Sequence, residues 1–172
     1  SLREVPGLWH MEEGNPVGNA PAPLLTALDQ ELPGQSCDLL DMTRYRAHNW
    51  HCFDNLNQRS PYASLQTSLG CPFTCSFCCI NAPFGTPMFR TWSPDNVIGQ
   101  IDRLVRDYGV TNIKIPDEMF VLNRRHVIGI CDRIIERGYC LNIWAYARVD
   151  TVQDEVLEKL ARAGFTWLGL GI

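Results

Sequence analysis

The sequence predicts an α/β fold: a partial parallel (β/α) barrel of about four strands and three helices, preceded by an irregular linker. Three observations predict it. Three stretches carry the apolar stripe of a half-buried helix, each between a capping residue and a glycine. After each of those glycines comes a short apolar strand. The first part of the chain lacks such periodicity and is broken by Pro6, Gly7, Gly14, Pro16, Gly18, Pro21, Pro23, Pro33 and Gly34.

Taken in order, residues 1–60 form the linker, with short helices expected only at 24–28 and 39–45. Residues 61–172 form the α/β unit. Residues 62–68 alternate as a strand should. The first helix buries Val97, Ile98, Ile101, Leu104 and Val105, with Ser93 as N-cap, Pro94 at the first helical position and Gly109 as the stop. The second repeats those offsets with Val127, Ile128, Cys131, Ile134 and Ile135, from Asn123 to Gly138. The third carries Val156, Leu157, Leu160 and Ala163, starts at Asp150 or Thr151 and ends at Gly164. Strands follow at 112–115, 141–145 and 166–170. Strand–helix alternation implies parallel pairing with right-handed crossovers. Trp144 and Trp167 lie within strands and read as core, and His126, in the first turn of the second helix, reads as surface.

A whole barrel of this kind needs about 250 residues, and this chain has 172. The C-terminal half is therefore expected beyond residue 172, and the isolated chain is expected to associate through its open strand edge and not to turn over. Composition is that of a soluble globular protein, 45% hydrophobic and 20% charged, and no apolar run spans a bilayer. A net charge of −4 gives no reason to expect nucleic acid or an anionic membrane as a partner. No leader is visible at residues 1–10.

Of the eight cysteines, four crowd at 71, 75, 78 and 79. Such crowding suits a metal or cluster rather than a disulfide framework, and a reducing, cytoplasmic compartment. Cys37, Cys52, Cys131 and Cys140 read as small buried hydrophobes. The loop Cys71-Pro72-Phe73-Thr74-Cys75-Ser76-Phe77-Cys78-Cys79 follows the first strand, at the sheet edge where α/β proteins place their sites. Thiolates at C-x3-C-x2-C can hold three irons of a cubane and leave the fourth open. Other readings are a zinc-binding structural module that adds His48 or His51, an electron-transfer cluster, for which Cys79 is too close to Cys78 to be an easy fourth ligand, and the register Cys71, Cys75, Cys79.

C-x3-C-x2-C directly after the first strand of a βα repeat resembles the radical S-adenosylmethionine (SAM) superfamily, over residues 62–172. The resemblance implies a [4Fe–4S] cluster on Cys71, Cys75 and Cys78. Its open iron takes the amino and carboxylate groups of SAM, and an electron cleaves the sulfonium to a 5′-deoxyadenosyl radical. Phe77, before the third cysteine, is implied to pack near the adenine. Pro116-Asp117-Glu118, after the second strand, stands where the family has a Gly-Gly-Glu-like element for the SAM amino group. Glu118 matches its acid, with Asp117 beside it and the two glycines absent. Arg148, at the end of the third strand, can pair with the SAM carboxylate, or instead with Asp150 or a helix C-terminus. Gly171 and Ile172 match the start of a Gly-Ile-Glu-Ser-like ribose contact.

The linker resembles the one that joins a cobalamin-binding domain to such a barrel, in Pro6-Gly7-Leu8, Leu32-Pro33 and Asp38-Leu39-Leu40-Asp41-Met42 before Tyr45. Arg90-x-x-Ser93-Pro94-x-x-Val97 is similar to a stretch of the same branch. No Asp-x-His-x-x-Gly is present, so cobalamin is expected on a domain upstream of Ser1. The implied function is cobalamin-dependent methylation, or a related carbon functionalisation, of a small-molecule substrate, with an electron donor such as flavodoxin or ferredoxin. The alternative within the superfamily is a cobalamin-independent enzyme of methylthiotransferase or oxidoreductase type.

Overall fold

The computed structural model describes residues 1–171. Strands β1 (Trp9–Glu12) and β2 (Asn15–Gly18) form an antiparallel hairpin in the linker, turning through Glu13 and Gly14, both at positive φ. No periodicity in the linker's residues signals this hairpin. The expected helices at 24–28 and 39–45 are displaced: α1 is a single turn, Leu28–Glu31, and the later stretch holds 3₁₀ turns at Cys37–Leu39 and Met42–Arg44. Both stretches are too short to propagate a helix alone.

The expected first strand divides. β3 (Tyr62–Ser64) joins the main sheet, whereas β4 (Ser68–Leu69) pairs antiparallel with β5 (Arg90–Thr91) beyond the cysteine loop. Helices α2 (Pro94–Tyr108), α3 (Arg124–Glu136) and α4 (Asp154–Arg162) alternate with β6 (Asn112–Ile115), β7 (Asn142–Arg148) and β8 (Phe165–Gly171). The main sheet is parallel, in the order β3-β6-β7-β8. Strands in chain order, each separated from the next by a helix, form the wall of a (β/α) barrel. The fold is therefore α/β, with four parallel strands and three covering helices.

Local chemistry sets the helix bounds. The Ser93 hydroxyl accepts from Asn96 N–H, Pro94 stands at the first helical position, and the Asn123 amide oxygen accepts from His126 N–H. The third N-cap differs from expectation: it is Gln153, with no side-chain bond, because Val149–Thr151 forms its own 3₁₀ turn.

One face of the sheet buries Ala63, Ile113, Ile115, Ile143, Ala145 and Ala147 against Val97, Ile101, Ile130, Cys131, Ile134, Val156 and Leu160. Ion pairs Arg133–Asp95, Arg137–Asp102, Arg124–Glu155 and Lys159–Asp132 link neighbouring helices over this core. The other face carries Lys114, Trp144 and Trp167 in one cross-strand row, with the Lys114 ammonium 4.4 Å from the Trp144 ring centre. Trp50 meets both indoles edge-on, at 4.9 and 5.5 Å. Against expectation Trp144 and Trp167 lie outside the main core, on the face away from the helices: Trp144 is buried, Trp167 is half-buried, and their partner comes from the linker. No described helix is long and apolar enough to cross a membrane.

The N-terminal edge of the sheet is closed by residues 47–61. Asn112 Nδ2 donates to the Gln58 carbonyl at 2.7 Å, and Asn142 Nδ2 donates to the His51 carbonyl at 2.8 Å and to Asn112 Oδ1 at 2.9 Å. His51 Nε2–H donates to the Asn142 carbonyl at 3.1 Å, and burial lowers its pKa. This closure leaves the C-terminal edge as the open one. Asn142→Ala strips partners from His51 and Asn112 and should lower stability by about 1–3 kcal/mol. The check is urea unfolding, with a lower midpoint and an unchanged slope.

Candidate functional site

The loop that bears the cysteines runs out from β4 and back into β5, which pair with each other as a ribbon separate from the main sheet. Two residue pairs, Ser68↔Thr91 and Leu69↔Arg90, form its base. Gly70 follows at a φ of 83°, and a Cβ there would run into the Met88 carbonyl oxygen. That position therefore requires glycine. Cys71 comes next and is buried, whereas Cys75, Cys78 and Cys79 are exposed. Inside the loop Cys78 N–H donates to the Cys75 carbonyl at 3.1 Å and Asn81 Nδ2 to the Phe73 carbonyl at 2.8 Å. All eight cysteines are unpaired. Cys140 is exposed, against expectation, because it stands in the turn ahead of β7; Cys52 and Cys131 are buried and Cys37 is half-buried.

Among the described residues no three His, Cys, Asp or Glu side chains converge as a metal site. The three thiols thus share one loop without being drawn to one point. Their chemistry still suits iron: free soft donors, three of the four exposed, on a loop held mainly at its base. Phe77 is 89% exposed and packs on nothing in the sheet. The histidines proposed as zinc partners lie elsewhere: His51 binds the Asn142 carbonyl at the opposite edge, and His48 stacks on Trp50.

Arg148 lies against the loop, its guanidinium 4.0 Å from the Phe73 ring centre. Its fork is engaged with Asp150, Nε to Oδ1 at 2.9 Å and Nη2 to Oδ2 at 2.5 Å, so the local ion pair foreseen as one reading is formed. The Asp150 bond raises the Arg148 pKa, and the charges of Cys75 and Cys71 add to it. Gly171 stands opposite Arg148 in the β7–β8 register. Ile172 lies outside the described residues. Glu118 is half-buried and its Oε2, shielded from solvent, has no hydrogen-bond partner among the described residues.

Asp117 turns the other way. It is 0% exposed and accepts from Thr67 N–H at 2.8 Å, Thr67 Oγ1–H at 2.6 Å and Ser68 Oγ–H at 2.7 Å. His126 is a correction: it is buried, and its Nε2 lies 2.9 Å from Thr67 Oγ1. The Thr67 proton is engaged with Asp117, so His126 Nε2–H donates; Nδ1 is buried with no partner among the described residues, which fits a neutral ring. A helical period carried the signal: His126, Ile130 and Ile134 are spaced i, i+4, i+8 on the buried stripe. Thr67 and Ser68 carried no comparable sign. Arg90 and Trp92 reach back to the linker, donating to the Leu25 and Leu32 carbonyls. A cavity of about 340 Å³ lies between linker and α2, beside Cys37, Leu65, Arg103 and Tyr108, and no residue of the cysteine loop lines it.

No protein-family model matches the chain. It is 32% identical over 171 residues to an uncharacterized methyltransferase of Pyrococcus horikoshii, covering 99% of this chain and 35% of that protein. It is 29% identical over 175 residues to an anaerobic magnesium-protoporphyrin IX monomethyl ester cyclase of Cereibacter sphaeroides, covering 98% and 26%. It is 28% identical over 143 residues to a hopanoid C-2 methylase of Rhodopseudomonas palustris, covering 78% and 26%. The chain thus spans about a third or less of the length of these curated relatives, which are named as enzymes.

Burial pushes the Asp117 carboxyl up from 3.8 to about 6 against its three hydrogen bonds, and pushes His126 down from 6.5 to about 4. The fold therefore disfavours the charged form of each relative to the unfolded chain, and at pH 7 Asp117 is still a carboxylate and His126 is neutral. The Asp117 contribution is largest below pH 3.8 and lost as pH rises through about 6; that of His126 is present above 6.5 and lost as pH falls through about 4. Between those limits the two oppose. Asp117→Asn should gain on the parent by on the order of 3 kcal/mol as pH rises from about 4 to 7. His126→Gln should gain by a similar amount as pH falls over the same range. Urea midpoints across pH decide it; profiles parallel to the parent's would refute the assignment.

Proposed function

We propose that this chain is the cluster-bearing part of a radical SAM enzyme of the cobalamin-dependent, methylating branch. The observation that carries the proposal is the free C-x3-C-x2-C thiol set on the loop at the open sheet edge. Cys71, Cys75 and Cys78 hold a [4Fe–4S] cluster, with Cys71 at the edge of the core and the other two closing from the exposed part of the loop. A cluster bound there would supply the electron for reductive cleavage of SAM. Glu118 offers its unpartnered Oε2 to the SAM ammonium. Arg148 exchanges Asp150 for the SAM carboxylate while its guanidinium stays on Phe73. Phe77 folds down from solvent to cover the adenine, and Gly171 lets the ribose approach the β8 backbone. Asp117 has no free acceptor direction toward solvent and acts from below the site.

The names of the relatives support methylation or a related carbon functionalisation as the activity of the whole protein. Residues 1–60 serve as the linker to a cobalamin-binding domain, and residues 61–172 as half of the barrel. A small-molecule substrate and an electron donor such as flavodoxin or ferredoxin complete the system.

Anaerobic reconstitution of the chain should give a brown protein with about four irons, bleached by dithionite. Alanine at Cys71, Cys75 or Cys78 should abolish the colour, and Cys79→Ala should retain it. A colourless protein with stoichiometric zinc would falsify the reading. Glu118→Gln should keep the iron and weaken SAM binding about tenfold, read from the SAM-induced change in the EPR spectrum.

A further inference from the structure

The cysteine loop is closed at its base by a separate ladder of two residues on each side, β4 with β5, and a ladder that short is marginal by itself. Its remaining backbone tie at the base is Trp92 N–H to the Thr67 carbonyl at 3.1 Å. On the β5 side Arg90 and Trp92 donate to the linker carbonyls of Leu25 and Leu32, whereas on the β4 side the side-chain ties converge on one group. Asp117 follows β6, and its carboxylate accepts every hydrogen bond that Thr67 N–H, Thr67 Oγ1–H and Ser68 Oγ–H donate to it. His126, from the first turn of α3, adds a fourth bond at Thr67 Oγ1. Asp117, Thr67 and Ser68 are 0% exposed. Neither Asp117 nor His126 has an ion-pair partner among the described residues, so the network holds by hydrogen bonds alone. A carboxylate suits this place because it is acceptor-only and meets three donors at once.

We propose that Asp117, Thr67 and His126 are positioning residues for the cluster: they fix Ser68 to the ends of β6 and α3, and so fix where the Cys71 thiolate stands. The inference rests on the cluster reading above. Thr67 and Ser68 end only three residues before Cys71, with Leu69 and the constrained Gly70 between them. Little slack therefore separates the network from the first ligand. Cys75 and Cys78 lie farther along an exposed loop and adapt to the cluster, whereas Cys71 sets its place.

The test compares Thr67→Val, which keeps shape and deletes the hydroxyl, and Asp117→Asn, which keeps shape and removes the acceptor-only charge. Leu160→Ala, in the core beneath α4, serves as a control for stability loss. All are reconstituted anaerobically. The expected result is that Thr67→Val and Asp117→Asn retain the parent's far-UV circular dichroism but show a changed reduced-cluster EPR spectrum or an iron content lowered about threefold or more. Leu160→Ala should show the parent's spectrum and iron. Parental spectra and iron content in both Thr67→Val and Asp117→Asn would overturn the proposal. If the parent itself takes up no iron, the cluster reading has failed, and hydrogen exchange of the iron-free proteins decides the clamp. Exchange at the Gly70 and Cys71 amides about tenfold faster in Thr67→Val, with α4 amides unchanged, supports it. Unchanged exchange there overturns it.

Discussion

The Asp117 carboxylate, shut away from solvent, takes three hydrogen bonds from Thr67 and Ser68, and the placement of the cysteine loop depends on where those two residues stand. A buried carboxylate is destabilising unless it is hydrogen-bonded. Here its donors belong to the residues that start the loop. The same contact ties three elements that are distant in sequence: the start of β4, the end of β6 and, through His126, the start of α3.

The two edges of the sheet use polar groups differently. At the N-terminal edge, Asn112 and Asn142 turn amide groups to the linker, which answers with the carbonyls of Gln58 and His51. Asparagine there supplies donors and acceptors without charge, so the contact closes like a zipper. At the C-terminal edge, the acidic and basic groups are Asp117, Glu118, Arg148 and Asp150. Only Asp117 is fully buried. Glu118 keeps an open oxygen, and Arg148 holds an exposed partner, Asp150, that a ligand carboxylate can displace. Exposed ion pairs contribute little to stability, so such an exchange is energetically easy.

The linker is part of the same packing problem. Trp50 inserts against Trp144 and Trp167, and Lys114 lies on the Trp144 ring. Arg90 and Trp92 hold the segment near α1 from the other side through the Leu25 and Leu32 carbonyls. The linker thus grips the sheet on its lower edge and, beside α2, the β5 strand that closes the base of the cysteine loop.

Periodicity and caps made the fold legible in the sequence. Helical stripes at 97–105, 127–135 and 156–163, with Ser93, Asn123 and the closing glycines, depend on neighbours within one or two turns, so the sequence alone determines them. Asn112–Ile115 was legible to the residue because its apolar run is bounded on both sides. The cysteine spacing was legible for the same reason. What only the tertiary structure decided depends on contacts between distant segments. Residues 62–68 divide into two strands because Ser68 finds Thr91 across the loop. His126 goes inward because Thr67 waits for it, and Asp117 becomes a clamp because its donors lie some fifty positions earlier. Arg148 pairs with Asp150 close by in sequence, but that its guanidinium also rests on Phe73 follows from the way β7 runs up beside the loop. Local hydrogen bonding and side-chain periodicity are written in the chain; the partner of a buried polar group is chosen only when the sheet assembles.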